Sequence, residues 1–301
     1  MAVDDNDPKF LLFAQHGWAD TASDISKLAK AAADPQTVIT APNLGLINTF
    51  IRIEPLVQRL EQIATQVINS YPDTPIKIMG HSMGGLICLE LLNRNPQWWQ
   101  KVHSLILLGS PVGGSNIARI IDPLGIGIGM ARDLGKNRRG IAEKIAQKIP
   151  TLSVASDINL GSDGLVTVEN TKFAHANWTL ISGIPHAAMK CHPEMIPLIQ
   201  NFWSHPQLGA SPQEDSASEV IGRLRSVPGM TDADRRHLER SQIVVSLADG
   251  TTINTWNSPL GINHVYVLSR DKMQCLYSGY VGLIHTSGLR KALQEIRQYA
   301  S

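Results

Sequence analysis

Ser82 lies in Gly80-His81-Ser82-Met83-Gly84, a G-x-S-x-G pentapeptide whose flanks say more than the motif itself. Pro75–Met79 is short, apolar and β-branched, bounded by Pro and Gly, which predicts a buried strand. Gly84–Leu92 carries apolar residues at helical spacing. A strand turning sharply into a helix would hold Ser82 in a strained backbone conformation. Gly80 and Gly84 would let strand and helix approach without a Cβ clash. The hydroxyl would then stand at a helix N-terminus, where backbone N–H groups favour developing negative charge. The chemistry this suits is nucleophilic attack on an acyl carbon.

A serine needs a base. The chain has 10 histidines, and His186 stands out because it follows an apolar strand in a turn fixed by Gly183 and Pro185. Imidazole is the side chain suited to taking a serine proton and returning it to a leaving group. His175, which precedes a strand, and His192, which opens a helix, are weaker candidates. An orienting carboxylate is offered by Asp163, between Gly161 and Gly164 in a loop those glycines can turn inward; Asp157, at the preceding strand's end, is the alternative. Two backbone donors should hold the oxyanion: the amide of Met83 and the amide of Trp18, in the His16-Gly17-Trp18 loop after the first strand. Trp18, His81 and Met83 are the candidate substrate contacts. Cys191-His192 offers two adjacent metal ligands without companions, so no metal is expected. No phosphate loop or dinucleotide fingerprint calls for a cofactor.

These residues need a scaffold that brings them to one edge. Strands are predicted at 10–14, 37–40, 76–79, 102–108, 151–156 and 178–182, with helices at 21–33, 54–70, 84–92 and 194–203. Such alternation implies a mostly parallel, six-stranded sheet with helices on both faces, an α/β class fold. In such sheets ligands bind outside the carboxyl ends of the strands, and Ser82, Asp163, His186 and the Trp18 loop each follow a strand. Residues 1–204 are expected to form this catalytic domain. Residues 205–218, holding Pro206, Gly209 and Pro212, read as a linker. Residues 219–301 read as a small α+β domain of unassigned role. In it, helices are predicted at 219–227, 232–240 and 288–299. A hairpin is predicted around Asp249-Gly250, and a second around Arg270-Asp271-Lys272.

Composition narrows the partners. A formal charge of +1 gives no electrostatic case for nucleic acid or an anionic membrane. The three cysteines are scattered and odd in number, so a reducing, cytoplasmic setting is expected. The acidic N-terminus lacks a signal-peptide pattern, and no apolar run is long enough to span a bilayer, which leaves room for peripheral membrane contact.

Taken together, His16-Gly17-Trp18, Gly80–Gly85, Asp163–Val166, Pro185-His186 and the Gly109–Ser115 segment resemble the α/β-hydrolase superfamily, in particular its compact lipases and esterases. The resemblance covers residues 9–204 and includes the chain order Ser, Asp, His. Val112 stands where lipases of the family often carry His. The resemblance implies hydrolysis of a small-molecule or lipid ester through an acyl-enzyme. An acyltransferase or thioesterase on the same three residues is the alternative, and a non-catalytic binding protein on this fold is a third reading. Asn116–Ile149, with apolar Leu124–Met130 and basic Arg132, Lys136, Arg138 and Arg139, is expected to be either a lid or a packed crossover.

Overall fold

The computed structural model describes residues 7–45, 47–114, 130–211, 215–271 and 274–300. The chain divides into two compact units: Met1–Asn159 with Asp163–Ala210, and Leu160–Ser162 with Ser211–Ser301.

The first unit is built on six strands: β1 (Phe10–Gln15), β2 (Thr37–Thr40), β3 (Ile76–His81), β4 (Val102–Leu108), β5 (Thr151–Asp157) and β6 (Asn177–Ser182). They run in the order β2-β1-β3-β4-β5-β6 with every neighbouring pair parallel, as the strand–helix alternation predicts. Parallel pairing demands crossovers. They are supplied by α1 (Ala22–Ala32), α2 (Ile53–Ser70), α3 (Met83–Arg94) and the helices Met130–Gly135 and Arg139–Ala146, with Met195–Ser204 following β6.

The period-2 alternation of each strand explains why helices cover both faces. Leu11, Phe13, Ile76, Ile78, Leu105 and Leu107 point to the face packed by α2 and α3. Leu12, Ala14, Met79, Ile106, Leu108 and Val154 point to the opposite face, against α1 and Met195–Ser204. Lys77 puts a charge on that second face. Its ammonium lies 3.7 Å from the Phe10 ring centroid, 4.6 Å from that of Trp203, and 3.6 Å from Asp34.

From Met130 onward the 116–149 segment is a packed crossover. Met130, Leu134, Ala142, Ile145 and Ile149 join the core under α3. Two of its basic residues serve the fold: Arg138 donates to Glu90 and to the Asp133 carbonyl, and Arg139 to the Glu169 and Lys172 carbonyls. The rest of the expected lid, Asn116–Gly129, lies outside the described residues.

The second unit holds an antiparallel sheet ordered β7-β11-β10-β9-β8: β7 (Thr231–Asp232), β8 (Gln242–Ser246), β9 (Thr252–Asn257), β10 (Asn263–Leu268) and β11 (Cys275–Val281). Helices Ser216–Arg225 and Thr286–Ala300 pack on one face, around Leu224, Val265, Val267, Val281 and Ile296. Helix Ser216–Arg225 starts ahead of the expected 219 because Asp215 caps it, accepting from the Ser218 N–H at 2.7 Å. The Asp249-Gly250 hairpin turn is present, with Gly250 at φ 89°. The second hairpin joins β10 to β11, though Lys272 at its tip lies outside the described residues.

Residues 232–240, predicted as a helix, are not one. Thr231–Asp232 pairs with β11, the Ala233 N–H bonds to the Ser278 carbonyl, and the Ser278 hydroxyl donates to the Asp234 carbonyl. Asp234 also accepts from the Arg236 N–H in a local turn. These bonds take the backbone groups a helix would need, leaving only a short 3-10 turn at Leu238–Arg240.

Candidate active site

The first unit's strand ends bring the chemistry together. β3 ends at His81 and α3 begins at Met83, so Ser82 alone makes the turn, at φ 56° and ψ −126°. A non-glycine residue there is strained, and neighbouring glycines make the strain tolerable to the fold. A Cβ on Gly80 would lie 2.5 Å from the Gly85 amide nitrogen, and one on Gly84 2.2 Å from the Gln15 carbonyl oxygen. Backbone thus packs on backbone between β1, β3 and α3. The Ser82 N–H donates to the Leu108 carbonyl at 2.8 Å, tying the turn to β4.

Asp163 and His186 meet beside it. His186 Nδ1 lies 2.6 Å from Asp163 Oδ2, and the His186 N–H donates to the Asp163 carbonyl at 3.0 Å. Asp163 Oδ1 accepts from the Leu165 and Val166 amides at 2.9 and 2.7 Å. The carboxylate is therefore held from two sides, and Asp163 is the acid that contacts His186. Because a carboxylate only accepts, Nδ1 carries the proton and Nε2 the lone pair. Nε2 is buried and has no hydrogen-bond partner among the described residues. Gly109, at φ 56°, makes room for this pair: a Cβ there would lie 3.3 Å from both Asp163 Oδ2 and His186 Nδ1.

The loop after β1 forms the other wall. A Cβ on Gly17 would lie 3.0 Å from Ser82 Cβ and 3.5 Å from Ser82 Oγ. His16 is fully buried, its Nδ1 3.0 Å from the Gly17 carbonyl oxygen and its Nε2 accepting from the Leu44 N–H at 3.1 Å. Burial lowers the His16 pKa, which suits this neutral, one-donor arrangement. The Gly17–Trp18 peptide is trans, so a carbonyl fixed toward the His16 ring turns the Trp18 N–H the other way. Thr49 Oγ1 accepts from the Ala19 N–H, and Lys190 pairs with Asp20 at 2.6 Å, anchoring the same loop.

The candidate substrate contacts divide. Trp18 is half-buried, edge-on to Phe50 at 5.0 Å, beside the exposed Ile51. The Met83 side chain is fully buried in the core, so only its amide faces the turn. The His81 ring is also buried and directed at His186 rather than at open space: Nε2 lies 2.9 Å from the His186 carbonyl oxygen, and the ring centroids are 4.8 Å apart. The other histidines considered do other things. His192 Nδ1 accepts from the Glu194 N–H at 3.4 Å, and His175 holds a backbone turn at φ 64°. Lys190 and the hydrogen bond of His81 escape a sequence reading, since their partners are remote in the chain, and Gly109 shows there only as part of the Gly109–Ser115 segment. Among the described residues no group of three His, Cys, Asp or Glu side chains is placed to hold a metal ion.

The profile of the family described as serine aminopeptidase, S33, matches residues 6–154. No curated protein sequence matches the chain. Among solved structures, the Bacillus licheniformis lipase BlEst2 in its propeptide form is 13% identical, covering 92% of this chain and 69% of that one with a TM-score of 0.52. The mature form of that lipase is 16% identical over 66% of this chain and 93% of its own, with a TM-score of 0.49. Est1E from Butyrivibrio proteoclasticus, solved with ferulic acid bound, is 16% identical over 67% of this chain and 92% of its own, with a TM-score of 0.50.

Proposed function

We propose that the chain, which has the α/β-hydrolase fold, is a serine carboxylester hydrolase. Ser82 is the nucleophile, His186 the base and then the acid, and Asp163 the residue that orients His186. The amides of Trp18 and Met83 hold the oxyanion, and Trp18 with Phe50 and Ile51 offers an apolar surface to the acyl chain. The observation that carries this reading is the His186 Nδ1 contact with Asp163, which leaves a buried Nε2 lone pair without a partner among the described residues, on an imidazole that lies against the ring of His81, the residue bonded to Ser82.

In the first step the Ser82 Oγ–C bond forms as its proton passes to His186 Nε2. The oxyanion develops at the N-terminus of α3, whose first amides have no intrahelical partners. His186 then protonates the departing alkoxide. Water, deprotonated by the same Nε2, cleaves the acyl-enzyme and restores Ser82. This route uses only the chain's own groups and water. The scattered free cysteines, Cys88, Cys191 and Cys275, support a reducing, cytoplasmic setting. Residues 219–301 are taken as a separate domain outside this chemistry.

The test is fluorophosphonate labelling of wild type and Ser82→Ala, followed by p-nitrophenyl esters of rising chain length and aminoacyl p-nitroanilides. Labelling and turnover are expected in wild type alone, on esters, with an unchanged melting temperature in the variant. Turnover confined to the anilides would replace the ester reading with amide hydrolysis. Absence of labelling in wild type would remove the serine mechanism.

A further inference from the structure

His81 is the residue bonded to Ser82, and its ring reaches the residue proposed as base. A carbonyl oxygen only accepts, so His81 Nε2–H donates to the His186 carbonyl at 2.9 Å and Nδ1 keeps its lone pair, buried and without a partner among the described residues. The ring also lies against the His186 imidazole, the two planes tilted by 42°. His186 is thus held on two sides. Asp163 grips it from the loop after β5, through the ring and through the main-chain N–H. His81 grips it from β3, through the main-chain carbonyl. Only the second grip belongs to the strand that carries the nucleophile.

We propose that His81 is a positioning residue that fixes the separation of Ser82 and His186 through its hydrogen bond to the His186 carbonyl. This rests on the serine-hydrolase reading for its catalytic consequence, and on the geometry alone for the tie itself. Without the bond, the Asp163 contact would still set the imidazole tautomer, but nothing on β3 would set how far that imidazole lies from Ser82. Proton transfer is sensitive to this distance, since misplacement by about 1 Å can cost about a hundredfold in rate. Substrate binding does not run through the bond, so the effect belongs in kcat and not in KM. The ring that makes the tie is neutral, although Nε2–H would donate to that carbonyl in either charge state. Burial, reinforced by the neighbouring His186, Lys190 and His16, keeps the His81 pKa well below the ordinary imidazole value. Of the carboxylates around these groups, Asp163 is engaged by His186, and Asp20 and Asp24 pair with Lys190.

Two variants separate the bond from the ring. His81→Phe keeps an aromatic ring against His186 and removes the donor; His81→Gln keeps an N–H at similar reach and removes the ring. In the full-length protein, kcat on the best p-nitrophenyl ester is expected to fall about tenfold to a hundredfold in His81→Phe with KM within about twofold. In His81→Gln, kcat should stay within about threefold of wild type. A second measurement needs no turnover: the downfield proton resonance of His186 Nδ1 on Asp163, expected sharp in wild type and His81→Gln and exchange-broadened in His81→Phe. Should wild type lack Ser82-dependent labelling, the functional reading falls, and the resonance alone decides the tie. Wild-type kcat and a sharp resonance in His81→Phe would overturn the proposal. So would equal losses in both variants, since a restored donor would then not restore the rate, and so would a loss confined to His81→Gln, which would assign the effect to ring packing.

Discussion

Asp163 shows how little freedom the site leaves a single side chain. Its Oδ1 is occupied by two amides and its Oδ2 by His186, so each oxygen has a fixed job. Asparagine at this position would keep its carbonyl oxygen on the Leu165 and Val166 amides, because only an acceptor fits there. Its NH₂ would then face His186 Nδ1, and two donors cannot share that contact. The imidazole would move its proton to Nε2, pointing an N–H at Ser82 where the mechanism needs a lone pair. Asp163→Asn is therefore expected to lower kcat by about 10³- to 10⁴-fold with little change in KM. Ester kinetics beside a melting curve checks this. A loss below tenfold with intact folding would show that tautomer control does not limit the reaction.

At the scale of elements, the glycines beside Ser82 and those elsewhere are different objects. Gly84 packs its backbone on the end of β1, and a Cβ there would meet the Gln15 and His16 carbonyl oxygens at 2.2 and 2.6 Å. Backbone cannot step aside as a side chain can, so Gly84→Ala should cost more than the about 1–3 kcal/mol of ordinary overpacking and yield little folded protein. Gly140, on the exposed side of helix Arg139–Ala146, would meet nothing within 4 Å. Gly140→Ala should stabilise by about 0.5 kcal/mol through helix propensity, read by denaturant unfolding. The same contrast explains what the sequence makes legible. β4 at Val102–Leu108 is legible because burial on two faces writes itself into local residue choice, and β2 at Thr37–Thr40 because β-branched residues suit even a half-buried edge strand. The Ser82 turn is legible because close approach admits only glycine. Residues 232–240 mislead because their fate is set by hydrogen bonds to β11, more than 40 residues away. His81 reads locally as a substrate contact because its acceptor lies 105 positions downstream. Contacts of that kind leave no local trace.

Across the whole molecule, several imidazoles are buried in the neutral form, and this sets how stability follows pH. Burial lowers the pKa of His16, of His103 and, most strongly, of His81 in the first unit. In the second unit it pushes His264 down to about 4, from an ordinary 6.5. His264 sits among Trp256, Tyr266 and Tyr280. His237 lowers its pKa further, and Asp234 opposes the shift. A group whose folded pKa lies below its unfolded one binds more protons when unfolded, throughout the window between the two. For His264 the stabilising contribution is complete above about 6.5, shrinks as the pH falls, and is gone below about 4. The other three act with the same sign, so their contributions add rather than cancel. The melting temperature should hold steady from pH 8 to 7 and decline from pH 6.5 towards 4.5. His264→Gln removes one titrating group, so its decline over that interval should be shallower than that of wild type. A wild-type melting temperature that stays level to pH 5 would mean that these rings take up protons without disturbing the fold. The neutral form assigned to His16, whose Nε2 must accept from the Leu44 N–H, would then have to be abandoned.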